Sequence, residues 1–473
     1  MSEQTYDVVV IGAGPAGENA ADYATQRGLS AVIVEKELVG GECSYWGCMP
    51  SKALLRPTEV LAHAHRVPAA AAAVTGDVDV ARVLANRDAF VSNFDDASQV
   101  EWLDDVGVDL VRGHGRLAGE RTVEVEQGDG TVLTLRATTG VVIAIGSRAA
   151  VPPVDGLGDV ATWDNRDITE MEAVPDRLLV LGGGVIGVEM AQAVRRLGAA
   201  EVTIVEGLER LLNNEEPAAS EHLRQRLEAE GIAVHTGQFA ESVSREGRDG
   251  PVTLTLADGT TLTGDELLVA VGRRAPTDDL GLDTVGVEPG RGGFLDVDGH
   301  LRVLVDGAPS GWLSAIGDVN GRALLTHQGK YQARLVGDRL AGVESDAAWA
   351  DERAVPRVVF TDPQVAAVGL TEAQAAEREL DVRVVRYDTG WSAGGSLFGK
   401  DSGGPAVLVI DQDRRVVVGA TFVGANVSEL LHSATIAIAG EVPVDRLWHA
   451  VPSFPTVSEV WLRLLEEDRK LDL

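Results

Sequence analysis

Val8-Val9-Val10-Ile11-Gly12-Ala13-Gly14-Pro15-Ala16-Gly17 is an apolar run that breaks at a glycine turn. Consecutive branched residues bounded by a turn predict a buried strand over residues 6–12. A helix is expected from Pro15 to about Arg27, and a second strand over residues 31–35. Strand, helix and strand within about thirty residues are the unit a parallel sheet requires. Gly12, Gly14 and Gly17 form G-x-G-x-x-G between strand and helix. The first glycine permits the tight turn, the second lets a diphosphate approach the backbone, and the third lets helix and sheet pack closely. The helix N-terminus favours the anion. Glu35 ends the next strand, 23 residues after Gly12, where a carboxylate accepts from ribose hydroxyls.

The device returns about 170 residues later. Gly182-Gly183-Gly184-Val185-Ile186-Gly187 follows an apolar strand at 178–181, and a helix to about Leu197 and a strand at 202–205 come next. Gly182, Gly184 and Gly187 take the three roles. Glu206 lies 24 residues beyond Gly182. An acid there suits a free ribose 2′-hydroxyl and repels a 2′-phosphate, which favours NADH over NADPH. Arg210, four residues on, is the counter-reading, since a guanidinium could serve a phosphate.

The 473 residues correspond to roughly three domains at about 150 residues each. Hydrophobic residues are 45 % and charged residues 24 %, which is globular composition and excludes wholesale disorder. The net charge of −32 disfavours general binding to nucleic acid or to an anionic membrane surface. No apolar run reaches membrane-spanning length, and the first apolar run lacks the flanks of a signal peptide. A cytoplasmic location is expected.

Between the two glycine motifs, helical stretches are expected around 58–74 and 79–105, a small antiparallel sheet at 122–126 and 131–137, and a buried strand at 141–146. A mixed α+β part begins near Trp349, with strands at 356–360, 406–409 and 416–422 and helices near 427–439 and 456–469.

Cys43 and Cys48, the two cysteines of the sequence, lie in Gly40-Gly41-Glu42-Cys43-Ser44-Tyr45-Trp46-Gly47-Cys48-Met49-Pro50-Ser51-Lys52. Two cysteines do not make a disulfide framework in a chain of this size. On a helix their sulfurs would lie one to one and a half turns apart, within reach after local distortion. The pair reads as a catalytic or sensing disulfide, as half a metal site, or as two inert thiols. Its place just after a dinucleotide unit favours redox work.

Together with Ala315-Ile316-Gly317-Asp318, Val271-Gly272-Arg273-Arg274-Ala275-Pro276, Val359-Phe360-Thr361-Asp362-Pro363 and Val368-Gly369-Leu370-Thr371-Glu372, these segments resemble the flavoprotein pyridine nucleotide–disulfide oxidoreductases over nearly the whole chain. Glutathione reductase, dihydrolipoamide dehydrogenase and mercuric reductase belong to that family. The resemblance implies an α/β fold with two Rossmann-like dinucleotide-binding domains and a C-terminal α+β dimerisation domain. It divides the chain into a discontinuous FAD domain (1–151 and 277–348), an NAD(P)H domain (152–276) and an interface domain (349–473). It implies a homodimeric oxidoreductase in which hydride passes from nicotinamide to flavin, then to a redox-active Cys43–Cys48 disulfide, then to a small substrate. Gly12, Gly14, Gly17, Glu35, Gly41, Gly115, Gly146, Asp318, Thr326 and His327 would hold FAD. Gly182, Gly184, Gly187, Glu206 and Gly272 would hold NAD. Lys52, paired with Glu189, would lie near the flavin, where a cation stabilises the reduced cofactor. Cys48 would be the flavin-proximal thiolate and Cys43 the outer thiol that attacks the substrate.

Several positions depart from the family. Its members carry a His-Pro-Thr-x-x-Glu segment near the C-terminus, given across the dimer as an acid–base pair. Here the stretch reads Ser453-Phe454-Pro455-Thr456-Val457-Ser458-Glu459. Phenyl cannot move protons, although Glu459 remains, and a placed acid is worth about 10²–10⁴-fold. His449 does not match the motif, and a half-buried helix-end histidine is its expected role. Tyr45 and Glu42 replace the usual asparagine and threonine. A carboxylate at 42 is costly unless it turns toward a donor. Tyr45, Trp46 and Phe454 either line a pocket over Cys43 or simply fill space.

The leading expectation is therefore an NAD(P)H-dependent disulfide reductase. Its substrate would bring a good leaving group, or Glu459 or Tyr45 would handle the proton. The runner-up is a quinone or oxygen reductase acting at the flavin, and the third reading is a non-catalytic redox sensor. Oxidation of a dithiol such as dihydrolipoamide is disfavoured, because the base it needs is missing. Relay through a C-terminal thiol tail is not expected.

Overall fold

The computed structural model of the chain describes residues 2–247, 250–344 and 346–471. Residues 1, 248–249, 345 and 472–473, which fall inside the expected domains, lie outside the described residues. The chain forms two compact units. One runs through Pro50 and takes in Asp88–Ala150 and Arg273–Glu352; the other comprises Ser51–Arg87, Val151–Gly272 and the chain from Arg353 onward.

The first unit is built on a sheet whose main path runs Arg302–Val305, Ala308–Ala315, Val132–Ile143, Ser2–Ile11, Ala31–Glu35, Val108–Arg112. Ser2–Ile11 pairs in parallel with both its neighbours. Its apolar run alternates between two cores. Val8 and Val10 join Ile33, Ala20 and Ala24 on one face, and Val9 and Ile11 join Val32, Val34 and Ile143 on the other. The helices Pro15–Gln26 and Thr326–Leu340 pack together, with Gly329 against Ala16 and Gly337 against Tyr23.

Three expectations for residues 48–143 change. The two strands expected at 131–137 and 141–146 are one strand, Val132–Ile143. Its first half pairs antiparallel with Thr122–Glu126, while much of its length pairs in parallel with Ser2–Ile11. The helix expected over 79–105 is broken into Val80–Phe90 and Ala97–Asp105. Ser92, Asn93 and Phe94 all take positive φ, a conformation that cannot continue a right-handed helix. The helix expected at 58–74 begins at Cys48 instead and ends at Arg66, and it carries Pro57 in its interior.

The second unit holds the parallel sheet Ile232–Thr236, Glu201–Glu206, Arg177–Leu181, Glu266–Val269, with the helix Val185–Arg196 following the glycine turn. It also holds an antiparallel five-stranded sheet ordered Pro356–Val359, Gln364–Gly369, Val416–Gly424, Gly403–Asp411, Val382–Asp388. Against the latter pack Val427–Ala439 and Glu459–Lys470, the two helices expected near 427–439 and 456–469.

Candidate active site

Both glycine turns are built the same way. A Cβ at Gly12 would sit 2.5 Å from the Ala144 carbonyl oxygen, and one at Gly182 would sit 2.5 Å from that of Ala270. A Cβ on Gly17 or Gly187 would run into the carbonyl of its own first glycine. The Ala13 N–H donates to Glu35 at 2.7 Å, and the Gly183 N–H donates to Glu206 at 2.6 Å. Each carboxylate is thus fixed at the mouth of its turn. Burial raises the pKa of Glu35, and the backbone donors Ala13, Glu37 and Lys36 oppose it.

In contrast, the space beside Gly14 and Gly184 is open, and no side chain caps either helix. The uncapped N–H groups and the open backbone fit a dinucleotide diphosphate at both turns. Gly146 and Gly272 likewise face open space. Gly115, on the strand His114–Leu117, packs closely over Val34 and Ile11.

Asp318 stands at the start of the short turn Gly317–Asn320, and burial raises its pKa. The Ser147 hydroxyl donates to it at 2.5 Å, and Arg273 Nε donates to Ser147 Oγ at 2.6 Å. The Arg273 guanidinium also reaches Glu42 at 3.5 Å. This is the donor that a carboxylate at position 42 requires. Sequence reading quoted Arg273 only as part of a motif and missed Ser147; the contact between positions 42 and 273 has no local signal.

The two cysteines do not share a helix. Cys43 lies in the short helix Gly41–Tyr45, and Cys48 opens the helix Cys48–Arg66. The turn between them brings the thiols into hydrogen-bond contact, and both stand as thiols. That hydrogen bond, then burial, pushes the Cys43 thiol above its ordinary range, while Thr326 and Lys330 pull it down. Cys48 Sγ lies 3.5 Å from the Thr326 hydroxyl, and His327 follows on an exposed position. Among the described residues no three His, Cys, Asp or Glu gather as metal ligands.

Tyr45 and Trp46 are buried in a cluster with Phe94 and Val91, so they fill space. The Tyr45 hydroxyl meets Gln99 Oε1 at 2.7 Å, and burial pushes its pKa up to about 12.

In the second unit Lys52 Nζ pairs with Glu189 at 2.8 Å and lies over the Phe360 ring. Glu189 is buried and also accepts from the Phe360 N–H at 2.8 Å. Glu459 is buried, with one oxygen bound by the Ala393 N–H at 3.0 Å and the other by Arg463 at 2.6 Å. Phe454 is 75 % exposed.

Residues 6–333 match the family "Pyridine nucleotide-disulphide oxidoreductase" and residues 355–464 its dimerisation domain. A dihydrolipoyl dehydrogenase of Halobacterium salinarum is 34 % identical over 464 residues, covering 97 % of this chain and 95 % of that one. A mercuric reductase of Staphylococcus aureus is 29 % identical, covering 96 % and 81 %. The crystal structure of LpdA from Mycobacterium tuberculosis superposes with a TM-score of 0.84 at 25 % identity, covering both chains completely. The chain belongs to the pyridine nucleotide–disulfide oxidoreductase family, whose members are NAD(P)H-dependent FAD enzymes. No helix among the described residues is long and apolar enough to cross a membrane.

Proposed function

We propose that this enzyme passes reducing equivalents from NADH through the Cys43–Cys48 pair to a small disulfide whose thiols are good leaving groups. The observation that carries the reading is the hydrogen-bonded thiol pair, set in the same unit as the FAD cradle and touching Thr326. FAD, when bound, supplies two-electron transfer between nicotinamide and thiols. Gly12, Gly14, Gly17, Gly41, Gly146, Glu35 and Asp318 are its proposed holders, and Lys52, fixed by Glu189, is the proposed cation beside it. Thr326 lies beside both thiols, and the family resemblance assigns Cys48 the inner position and Cys43 the outer one.

The substrate class follows from what is missing. Phe454 offers no proton, Glu459 has both oxygens engaged, and a Tyr45 phenol pushed up to about 12 does not ionise near neutrality. A disulfide that releases a low-pKa thiol or a thione needs the least help, because better leaving groups depart faster. Dithiol oxidation of the dihydrolipoyl dehydrogenase kind needs a base at that position and is therefore not assigned. A homodimer accords with the dimerisation domain.

Anaerobic titration of the flavoprotein with NADH tests the route. A long-wavelength absorbance band after two electrons per subunit is expected, from a thiolate against oxidised flavin. Bleaching without that band would place the cysteines off the path and favour reduction of quinones or oxygen.

NADH preference is the second expected result. Glu206 is held at the turn by the Gly183 and Leu208 N–H groups. Arg210 is occupied by the carbonyls of Asn213 and Glu215 at 3.1 and 3.3 Å, so it is not poised for a phosphate. Glu206→Ala is expected to narrow the NADH/NADPH ratio of kcat/KM by about tenfold, since it removes one ribose acceptor and one repelling charge. An unchanged ratio would place the discrimination elsewhere.

A further inference from the structure

The Gly317–Asn320 turn, which carries Asp318, is held from behind by a buried polar network. The Gly317 N–H donates to Gln332 Oε1 at 2.8 Å, and Asn320 Nδ2 donates to the same oxygen at 2.9 Å. Both ends of the turn therefore converge on one glutamine. The far side of that glutamine is fixed as well. Gln332 Nε2 donates to Asp351 Oδ2 at 2.9 Å, and Gln328 Nε2 donates to Asp351 Oδ1 at 2.6 Å. Arg322 stands 3.6 Å from Asp351 and supplies the cation that a buried carboxylate needs. The Asp351 side chain is wholly shut off from solvent, and Gln328, Gln332 and Asn320 are buried with it. All of these residues belong to the first unit, and none of those four has a role in the proposed chemistry.

These groups satisfy one another in a single arrangement. A carboxylate only accepts, and a backbone N–H only donates. The Gln332 amide between them must turn its nitrogen to Asp351 and its oxygen to Gly317. We infer that Asp351 is a positioning residue for the flavin. It sets the orientation of the Gln332 amide, and that amide fixes the turn from which Asp318 meets FAD. The inference rests on the assignment of Asp318 to FAD made above. The turn has no slack with which to ignore a change at Gln332. A Cβ at Gly317 would lie 3.1 Å from the Ala16 side chain, and one at Gly329 would lie 3.3 Å from the Gly317 Cα. Gly317 is thus pressed between the helices Pro15–Gln26 and Thr326–Leu340, and packed interiors transmit strain. The same carboxylate reaches toward the thiols, because Gln328 lies two residues beyond Thr326, which touches Cys48.

The donor and acceptor roles at the Asp351–Gln332 contact can be exchanged without changing size. Gln332→Glu alone sets one carboxylate against another, and neither can donate. Asp351→Asn, added to it, returns a donor to the contact and keeps an oxygen for Gln328. An oxygen that can receive Gly317 and Asn320 is present at position 332 in each of these proteins. The exchange therefore separates the orienting contact at Asp351 from loss of the bond to the turn.

The test is the rate of FAD release from the holoenzyme, followed by flavin fluorescence on dilution at about pH 8, well above the range in which ordinary carboxyls titrate. Gln332→Glu is expected to release FAD about tenfold faster than wild type, since a buried hydrogen bond is replaced by a repulsion. Gln332→Glu with Asp351→Asn is expected to return to within about threefold of wild type. A Gln332→Glu rate equal to wild type, or a double variant as fast as Gln332→Glu, overturns the inference. If Gln332→Glu does not fold, recovery of holoenzyme in the double variant supports the inference, and failure of both overturns it. Asp318→Ala separates this role from a general loosening of the fold. In that background Gln332→Glu is expected to change release by less than about twofold, because the network acts through Asp318. A full tenfold effect there overturns the inference. An Asp318→Ala holoenzyme that keeps FAD as wild type does is a different failure, that of the assignment of Asp318 to FAD, and it removes the inference with it.

Discussion

Cys43→Ser is expected to lower NADH-driven reduction of an aryl disulfide by at least about 10³-fold, and Cys48→Ser to do the same for a different reason. Only a thiolate attacks a disulfide at a useful rate, and a serine hydroxyl does not ionise in the working range. Loss of the attacking atom removes the step rather than weakening it, so the effect belongs among nucleophile deletions. Cys43→Ser therefore never forms a bond to the substrate. Cys48→Ser leaves Cys43 able to attack once, but no second thiol resolves the product. Mass spectrometry after one exposure to the aryl disulfide is expected to find a stable adduct on Cys43 in Cys48→Ser, and none on Cys48 in Cys43→Ser. Turnover within about tenfold of wild type in both variants would move the chemistry to the flavin and leave the thiols as bystanders.

The parts of this design that are local in sequence were legible there. Branched apolar runs followed by glycine turns can hardly be anything but buried strands entering helices, and both nucleotide folds follow from them. Residues 427–439 were legible for the same reason, with an apolar face at helical spacing. Local signals also misled. Pro50 and Pro57 hid the true start of Cys48–Arg66, because proline in a first turn costs little and the packed helix tolerates the second. Thr138, Thr139 and Gly140 interrupt the apolar pattern of Val132–Ile143, where one edge of the strand passes from antiparallel pairing with Thr122–Glu126 to parallel pairing with Ala308–Ala315 while the other edge stays on Ser2–Ile11. The break at Ser92–Phe94 uses positive φ at residues with no glycine to announce it. What could not be read at all were meetings of distant residues. Glu42 with Arg273 has no periodicity and no motif. It is visible only as a carboxylate in the wrong place until the fold supplies the cation.

Phe454→His is expected to create dihydrolipoamide oxidation in a protein that has little. At 75 % exposure the position accepts an imidazole with no packing to rebuild. An unperturbed imidazole ionises near about 6.5, so activity in the oxidative direction is expected to rise with pH through that value, as the ring becomes a base. The size of the gain depends on Glu459. In the family pattern the glutamate orients the histidine, but here it is committed to the Ala393 N–H and to Arg463. A ring that is present but not oriented delivers only part of what general base catalysis can give. The single variant is therefore expected to gain about tenfold, and Phe454→His with Arg463→Leu, which releases one Glu459 oxygen, about 10²-fold. Steady-state NAD⁺ reduction with dihydrolipoamide measures both. A gain in the double variant but not in the single one would show that orientation, more than the missing ring, keeps this chain from dithiol oxidation. No gain in either would mean that the segment carrying Phe454 does not approach the thiols, and the proton would then have to come from groups beside the cysteines themselves.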